Sequence, residues 1–356
     1  MKTFISFLSS IAAFSIAAHA EPPKVVTDIA PVHSLVAGIM HGVETPKNLI
    51  APGVSPHGYA MRPSEARSLQ GADLVVWIGP ELTPSLTESI ETLAGDAVHI
   101  ELLDLPGVAL LPFRETAVFD TGDHDDHDDH DDHADHDDHK NHDAHDDDDD
   151  HSDHAEHSDH EDHAEHDAHD AGEDQHAHAH DHDGVDPHAW LDPVNAQIWV
   201  QAVAAKLAEM DPANAAVYDT NAAVMAADLQ DLIDQTSALL EPVKGQRFLV
   251  FHDAYQYFET RFGLKLAGAI VQSDGVPPSA ARLHALQEEL EREQVNCIFS
   301  EPQFNPGVLN ALTETKEIST AELDPIGVGL QLGPELYISV LSHMAQDFAS
   351  CLATQS

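Results

Sequence analysis

The sequence predicts an α/β protein of two lobes with parallel sheets, joined by one long helix. Three observations support this fold class. Strand-like and helix-like segments alternate on both sides of an acidic insertion at residues 123–183, as in parallel sheets covered by helices. About 275 residues remain without this insertion and an apolar N-terminal segment, which suits two domains. Between the halves, a helical pattern runs to about Leu240 without Gly or a second Pro.

The first twenty residues are predicted to be a secretory signal peptide. Lys2 precedes an apolar run over residues 4–18, and Ala18-His19-Ala20 has the A-x-A form of a cleavage site. The run is short for a membrane span, and no other segment is long and apolar enough to cross a bilayer. No Cys lies near the cleavage point to carry a lipid. We therefore expect a soluble, exported chain that starts at Glu21.

The first half, residues 21–122, alternates short apolar runs with helix signals. Its predicted strands are 25–29, 48–51, 73–79 and 98–103, and its predicted helices are 32–40, 63–70 and 83–93. After the insertion, residues 184–210 return to this half and include a helix over 193–209. The alternation predicts a parallel sheet.

A linking segment over residues 211–242 follows. Asp211 and Pro212 are predicted as N-cap and first helical residue, and the helix would span roughly 43 Å at 1.5 Å per residue. A rigid rod between two domains is the prediction, although an ordinary long surface helix fits the same pattern. The second half, residues 243–356, has predicted strands at 247–251, 264–270, 295–300 and 319–323, and predicted helices at 254–262, 278–293, 306–316 and 334–352.

The insertion at residues 123–183 has the composition of a metal-binding segment. It holds nineteen His among twenty-eight Asp and Glu, with one Lys and no aromatic or β-branched residue. Imidazole and carboxylate are good ligands for zinc and similar divalent cations. Because it has almost nothing to bury, the segment is expected to be disordered. A solvated acidic linker with incidental histidines is the alternative.

The charge of the chain excludes some partners. The formal net charge is −49, so the chain repels nucleic acid and anionic membranes and attracts cations.

Two cysteines, Cys297 and Cys351, form an even pair that indicates a disulfide in an oxidising compartment. Two buried free thiols are the alternative.

Four residues outside the insertion are candidate metal ligands. His57, His188 and His252 lie in loops or at strand ends, and Asp324 also follows a predicted strand. Ligands of open parallel sheets bind beyond the carboxyl ends of the strands. Three imidazoles and a carboxylate would complete a tetrahedral zinc shell. His41, His284 and His343 lie in helical stretches and are expected to face solvent or neighbours, and His99 is given no role.

Seven short motifs make a family resemblance specific. Taken together and in order, they resemble the periplasmic zinc-binding component of high-affinity zinc ABC transporters, over residues 24–352. The motifs are Ser55-Pro56-His57, Arg62-Pro63-Ser64, Ala72-Asp73-Leu74-Val75-Val76-Trp77-Ile78-Gly79, His188-Ala189-Trp190-Leu191-Asp192-Pro193, Phe251-His252-Asp253-Ala254-Tyr255, Glu301-Pro302-Gln303-Phe304 and Leu323-Asp324-Pro325-Ile326-Gly327.

The resemblance implies two (β/α)4 lobes joined by a backbone helix, with the metal in the cleft between them. It implies that His57, His188, His252 and Asp324 bind Zn(II), and that a periplasmic monomer passes the ion to an inner-membrane permease. Cys297 and Cys351 match the positions of a disulfide in similar proteins. Some relatives also carry an acid close to the first His. Gly58-Tyr59-Ala60 follow His57 here, so the fourth ligand is Asp324 or a water.

Ligand type bears on the choice of metal. Manganese-binding relatives tend to offer two His and two carboxylates, whereas three nitrogens favour zinc over manganese. Nickel, cobalt and copper also bind such sites well.

Three classes of function follow from these features. The favoured one is a zinc-capturing transport protein. A metal-storage or adhesion protein built around the insertion is the second. The third, a secreted metallohydrolase, lacks a His-Glu-x-x-His helix and has Glu301 as its only nearby candidate base.

Overall fold

The computed structural model describes residues 21–114, 184–271, 278–292, 294–303, 307–313 and 318–353. The predicted signal peptide and the predicted disordered insertion at 123–183 lie outside these ranges. No helix in the described ranges has both the length and the apolar character that a membrane span requires.

The first half contains a parallel sheet of four strands in the order β2-β1-β3-β4. Its strands are β1 Val25–Thr27, β2 Lys47–Asn48, β3 Leu74–Trp77 and β4 Val98–Glu101. All four residues of β3 are buried, as expected of a central strand covered by helices on both faces. Strand β2 is shorter than predicted, but its pairing continues, since the amides of Leu49 and Ile50 donate to the carbonyls of Thr27 and Asp28.

The second half contains a parallel sheet with the equivalent order, β6-β5-β7-β8. Its strands are β5 Arg247–His252, β6 Lys265–Val271, β7 Cys297–Ser300 and β8 Ser319–Glu322. In both sheets the first strand lies between the second and the third. The carboxyl ends of β5 and β7 therefore lie side by side at one edge, which matters for the site below.

Nine α-helices lie in the described residues. They are α1 Ala30–Ile39, α2 Pro63–Gln70, α3 Pro84–Leu93, α4 Pro193–Met210, α5 Ala215–Leu240, α6 Gln256–Phe262, α7 Ala280–Arg292, α8 Gly307–Thr313 and α9 Leu336–Leu352. The first four have Pro in the first turn, where a missing amide hydrogen leaves no helical bond unmade. The two (β/α)4 units that the sequence predicts are confirmed.

The linking helix α5 is 26 residues long, about 40 Å at 1.5 Å per residue. It packs on α1 and α4 of the first half and on α6 and α9 of the second. The predicted start at Asp211 and Pro212 is wrong, because the helix begins at Ala215. Asp211 instead closes a turn: its carboxylate accepts hydrogen bonds from the side chains of Asn214 (2.7 Å) and Tyr218 (2.9 Å).

The buried core is continuous across both halves. One apolar cluster extends from Val25 in β1 to Leu352 in α9. In the second half, Phe348 of α9 packs on Phe248 and Phe299, with ring centroids 5.1 and 4.7 Å away. Burying a side chain of this size contributes roughly 1.5–3 kcal/mol. The disulfide Cys297–Cys351 joins β7 to α9 at the same place, with a Cα–Cα distance of 5.9 Å.

Candidate metal site

His57 lies in the loop between β2 and α2. The loop is held by its neighbour Tyr59, which is buried and whose hydroxyl donates to Glu65 at 2.7 Å. Ser85 donates to the carbonyl of Tyr59 at 2.9 Å. Glu65 also accepts from the amide of Arg62 at the start of α2. The hydrogen bonds of Tyr59, two residues after His57, thus fix the loop that carries His57.

His188 is positioned by Asp186, at the point where the chain returns from the insertion. The Oδ1 of Asp186 accepts from the backbone amide of His188 at 3.0 Å and lies 2.7 Å from its Nδ1. A neutral imidazole with its proton on Nδ1 keeps the lone pair on Nε2. Burial raises the pKa of Asp186 to about 7.

His252 is the last residue of β5, and Glu301 directly follows the neighbouring strand β7. Nδ1 of His252 pairs with Oε1 of Glu301, and Gln303 donates to Oε2 of the same carboxylate at 3.0 Å. Glu301 and His252 are both buried. A carboxylate on the far nitrogen fixes the tautomer and orientation of metal-bound histidines.

The three histidines come together in one group. One ligand atom of each lies within 4.8 Å of the others. Nε2 of His57 and Nε2 of His188 are 3.2 Å apart. Two nitrogens on a tetrahedral zinc ion, each about 2.0–2.1 Å from it, are about 3.3 Å apart. The three donors are therefore of the type that zinc binds, and the His57–His188 pair has the spacing of two ligands on one ion.

Asp324 lies outside this group. It follows β8, and its Oδ1 accepts from the amides of Ile326 (3.2 Å) and Gly327 (2.8 Å). Gly327 has a positive φ of 80°, a backbone conformation that favours glycine, so this turn depends on it. Burial raises the pKa of Asp324, and these backbone contacts lower it by less.

The remaining described histidines lie elsewhere. His41, His284 and His343 are exposed, as the sequence predicts. His33 is buried, with Nε2 3.2 Å from the carbonyl of Pro46, and His99 contacts the carbonyl of Ala94.

Charged residues around the site link the two halves. Arg114 pairs with Asp253 and Glu259, and Arg261 pairs with Asp192. Burial raises the pKa of Glu259 to about 7 and that of Asp253 to about 6, although Arg114 opposes both shifts. Sequence reasoning missed these pairs and the role of Asp186. Only the closeness of Asp186 to His188 in Asp186-Pro187-His188 could have indicated that Asp186 positions the imidazole.

Trp190 adds an uncharged link between the halves. Its indole donates to the carbonyl of Pro325 at 2.8 Å, and its own carbonyl accepts from the hydroxyl of Tyr337 at 2.6 Å. The segment that carries His188 is therefore fastened to the second half beside Asp324.

Comparisons with known proteins agree with this architecture. The family model for zinc-uptake complex component A, periplasmic (ZnuA), matches residues 25–351. The high-affinity zinc uptake system protein ZnuA of Paracoccus denitrificans is 44% identical over 336 residues, which cover 94% of this chain and 93% of that protein.

Solved structures share the fold. A ZnuA deletion mutant with zinc bound has a TM-score of 0.66 at 20% identity, covering 94% of this chain and 100% of that chain. The SBP FpvC of Pseudomonas aeruginosa in complex with Mn²⁺ has a TM-score of 0.68 at 20% identity, with the same coverage of 94% and 100%. Proteins of this fold thus hold different metals, and metal preference has to be argued from the ligands.

Proposed function

The chain belongs to the family of periplasmic component A proteins of zinc-uptake complexes, and on this premise we propose that His57, His188 and His252 together bind one Zn²⁺ ion. The family makes the chain the zinc-binding protein of an ABC uptake system and not an enzyme. The observation that carries the residue assignment is the convergence of three imidazole nitrogens within 4.8 Å.

The surroundings of the three rings support capture of a metal and not hydrolysis. The carboxylates of Asp186 and Glu301 pair with Nδ1 of His188 and His252, so each ring keeps its lone pair on Nε2. A hydrolase needs a carboxylate placed to activate a metal-bound water. Glu301, the candidate base in the sequence, is bonded on one oxygen to His252 and on the other to Gln303.

We assign the fourth position to Asp324 or to a water. Asp324 follows β8, at the edge where β5 and β7 end, and Trp190 holds the His188 segment next to it. Its Oδ1 is occupied by backbone amides, so Oδ2 would be the ligand atom. The three nitrogens favour zinc over manganese whichever fourth ligand binds.

Further parts of the proposal rest on the sequence. Residues 1–20 would direct export, and the mature protein would act as a monomer that hands its ion to an inner-membrane permease. The insertion at 123–183 would bind several zinc ions weakly and raise the local zinc concentration. A storage or adhesion protein would instead depend on the insertion for its tightest binding.

Competition titration of the purified mature protein against a chelator tests the function. Zn²⁺, Mn²⁺, Ni²⁺ and Co²⁺ are compared one by one. We expect one tight zinc ion per chain and much weaker binding of Mn²⁺. Tight binding of Mn²⁺, equal to that of Zn²⁺, would contradict the proposal.

A further inference from the structure

We propose that Arg114 is a positioning residue that ties the base of the insertion to the second half of the protein and thereby slows release of the bound ion. This inference rests on the proposed zinc site. It concerns the lifetime of the complex rather than the identity of the ligands.

The base of the insertion is a short antiparallel stem. Pro112 and Val185 form an isolated bridge, and the amide of Asp186 donates to the carbonyl of Leu111 at 2.8 Å. Asp186 then holds His188 through its amide and its Nδ1. A displacement of the stem would therefore move one of the three proposed ligands directly.

Arg114 fastens this stem to the second half. Its guanidinium donates to Asp253 at 2.9 Å and to Glu259 of α6 at 2.7 Å. The side chains are largely buried, with exposed fractions of 18% for Arg114, 12% for Asp253 and 5% for Glu259. Asp253 directly follows His252 in the chain. One guanidinium thus joins the segment that carries His188 to the residue next to His252.

The charges explain why a cation is needed at this position. Asp253 and Glu259 are largely buried acids, and Arg114 is the cation that both of them contact. Without the guanidinium, the stem would lose its charge-assisted hydrogen bonds to Asp253 and Glu259. We expect the stem to move away and His188 to separate from His252. Lysine has one compact ammonium and cannot match the fork that holds both acids.

A second tie between the halves relies on uncharged groups and is independent of Arg114. The hydroxyl of Tyr257 donates to the carbonyl of Asp186 at 2.8 Å and accepts from the amide of Leu111 at 3.0 Å. This contact should keep the halves together in an Arg114 variant. We therefore expect a folded protein that binds zinc but loses it faster.

Zinc release from the full mature chain tests the proposal. Protein stripped of weakly held metal is loaded with one equivalent of Zn²⁺ and mixed with excess chelator, and the release rate is followed. Arg114→Gln should release zinc about tenfold faster or more, within the range seen when residues supporting metal ligands are changed. Arg114→Lys should fall between that variant and the parent. The double variant Arg114→Gln/Glu259→Gln should recover much of the parent rate, because a neutral amide at position 259 does not need a cation beside it.

Arg261→Gln is the matched control. Arg261 also crosses between the halves, with its Nη2 2.6 Å from Asp192, which is four residues from His188, whereas Asp253 directly follows His252. We expect less than about a threefold change, because Asp192 lies a full helical turn or more from His188 in the sequence and also accepts from the amide of Val194. Equal acceleration in the Arg261 and Arg114 variants would overturn the proposal in favour of general loosening. So would a parent-like rate in Arg114→Gln.

A His252→Ala arm keeps the two proposals apart. In the parent, the tightly bound ion should be released slowly. If His252→Ala loses this slow release and Arg114→Gln releases zinc at the parent rate, only the role of Arg114 is overturned. Persistence of the slow release in His252→Ala overturns the zinc site and this inference with it. If Arg114→Gln does not fold, Arg114→Lys and the charge-balanced double variant decide the question. We expect faster zinc release than the parent in Arg114→Lys and recovery toward the parent rate in the double variant. A parent-like release rate in Arg114→Lys would contradict the proposal.

Discussion

Glu301 and His252 stand at the ends of two adjacent parallel strands, and the carboxylate of Glu301 pairs with Nδ1 of the imidazole. The pair is buried, so water does not compete for it. The same arrangement recurs between Asp186 and His188. Two of the three proposed zinc ligands are thus oriented by carboxylates rather than by packing alone.

The first prediction concerns Glu301. Glu301→Ala should weaken zinc binding by about 10–100-fold, because His252 loses the partner that fixes its tautomer. Glu301→Gln should cost less, since an amide oxygen still accepts from Nδ1–H. Chelator competition measures both, with Glu288→Ala on the exposed face of α7 as the control. Unchanged affinity in Glu301→Ala would show that the carboxylate does not orient the ligand.

The second prediction concerns the ligands. Replacing a proposed ligand should weaken zinc binding by more than the roughly 10–100-fold expected of a supporting residue. The variants are His57→Ala, His188→Ala and His252→Ala. His284→Ala and His343→Ala, both exposed, should leave affinity unchanged. Asp324→Ala should cost less than a histidine change if water replaces it. The titrations need a background without the insertion, because its nineteen histidines could mask one lost site. Parent-like affinity in His252→Ala would refute the three-histidine site.

The third prediction concerns pH. Zinc binds imidazole only in its neutral form, and the unperturbed pKa of histidine is about 6.5. Protons therefore compete for the three nitrogens, and affinity should fall steeply as the pH drops from about 7 to 5. Titration at several pH values, corrected for protonation of the chelator, measures the slope. An affinity independent of pH over this range would count against imidazole ligands.

The fourth prediction concerns the insertion. Deleting residues 123–183 should lower the number of zinc ions bound and leave one tight ion. Such a deletion is feasible because the described residues on the two sides of the insertion lie close together: the amide of Phe113 donates to the carbonyl of Gly184 at 3.1 Å. A segment that must be ordered on binding gains less affinity than a preformed site. Isothermal calorimetry gives the stoichiometry, and loss of the tight ion on deletion would favour a storage function.

The fifth prediction concerns the buried carboxyl of Asp28. Its two oxygens accept from the amides of Ile29 (2.7 Å) and Ile78 (2.8 Å), and burial raises its pKa from 3.8 to about 6. The folded state therefore binds a proton more tightly than the unfolded state. This contribution to stability is fully present below about pH 4 and is lost as the pH rises through 6, a change of about 3 kcal/mol.

Asp28→Asn removes this titration. The unfolding free energy of the parent relative to Asp28→Asn should fall between pH 4 and 7, as measured by urea unfolding of the metal-free proteins. Asp73→Asn, at an exposed carboxylate that accepts from the amide of Lys24, is the control. Parallel pH profiles for the parent and Asp28→Asn would contradict the assignment.

The sequence predicted the fold well because its signals are local. Buried strands such as Leu74–Trp77 are short apolar runs, and α2 has the predicted bounds, Pro63–Gln70, because Pro opens it and Gly71 follows it. The start of α5 was misplaced because Asp211-Pro212 has the composition of a helix start. Hydrogen bonds from Asn214 and Tyr218 to the Asp211 carboxylate hold a turn there instead.

The candidate site was predictable in part. His252 was recognisable because it ends β5, and His57 because it lies in the loop that follows β2, since the edge of a parallel sheet brings such residues together. Within the described residues, His188 follows no strand and was recognisable only from its loop context. The pairing of Arg114 with Asp253 was not, since the two are 139 residues apart and no periodicity marks them. The pairing of Glu301 with His252 likewise depends on a tertiary contact, since 49 residues separate them, whereas Asp186 is only two residues from His188. Residues that hold ligands in place leave weaker marks in a sequence than the ligands themselves.

The three proposed ligands come from distant parts of the chain, with His57 and His188 separated by 131 residues and His252 in the other half. A growing polypeptide therefore cannot complete the proposed site before β5 has been made. The ion, once bound, closes very long loops and acts as a cross-link that unfolding must break. On the proposed assignment, metal loading and folding would be one linked equilibrium, and the bound ion would also protect its carrier from proteolysis.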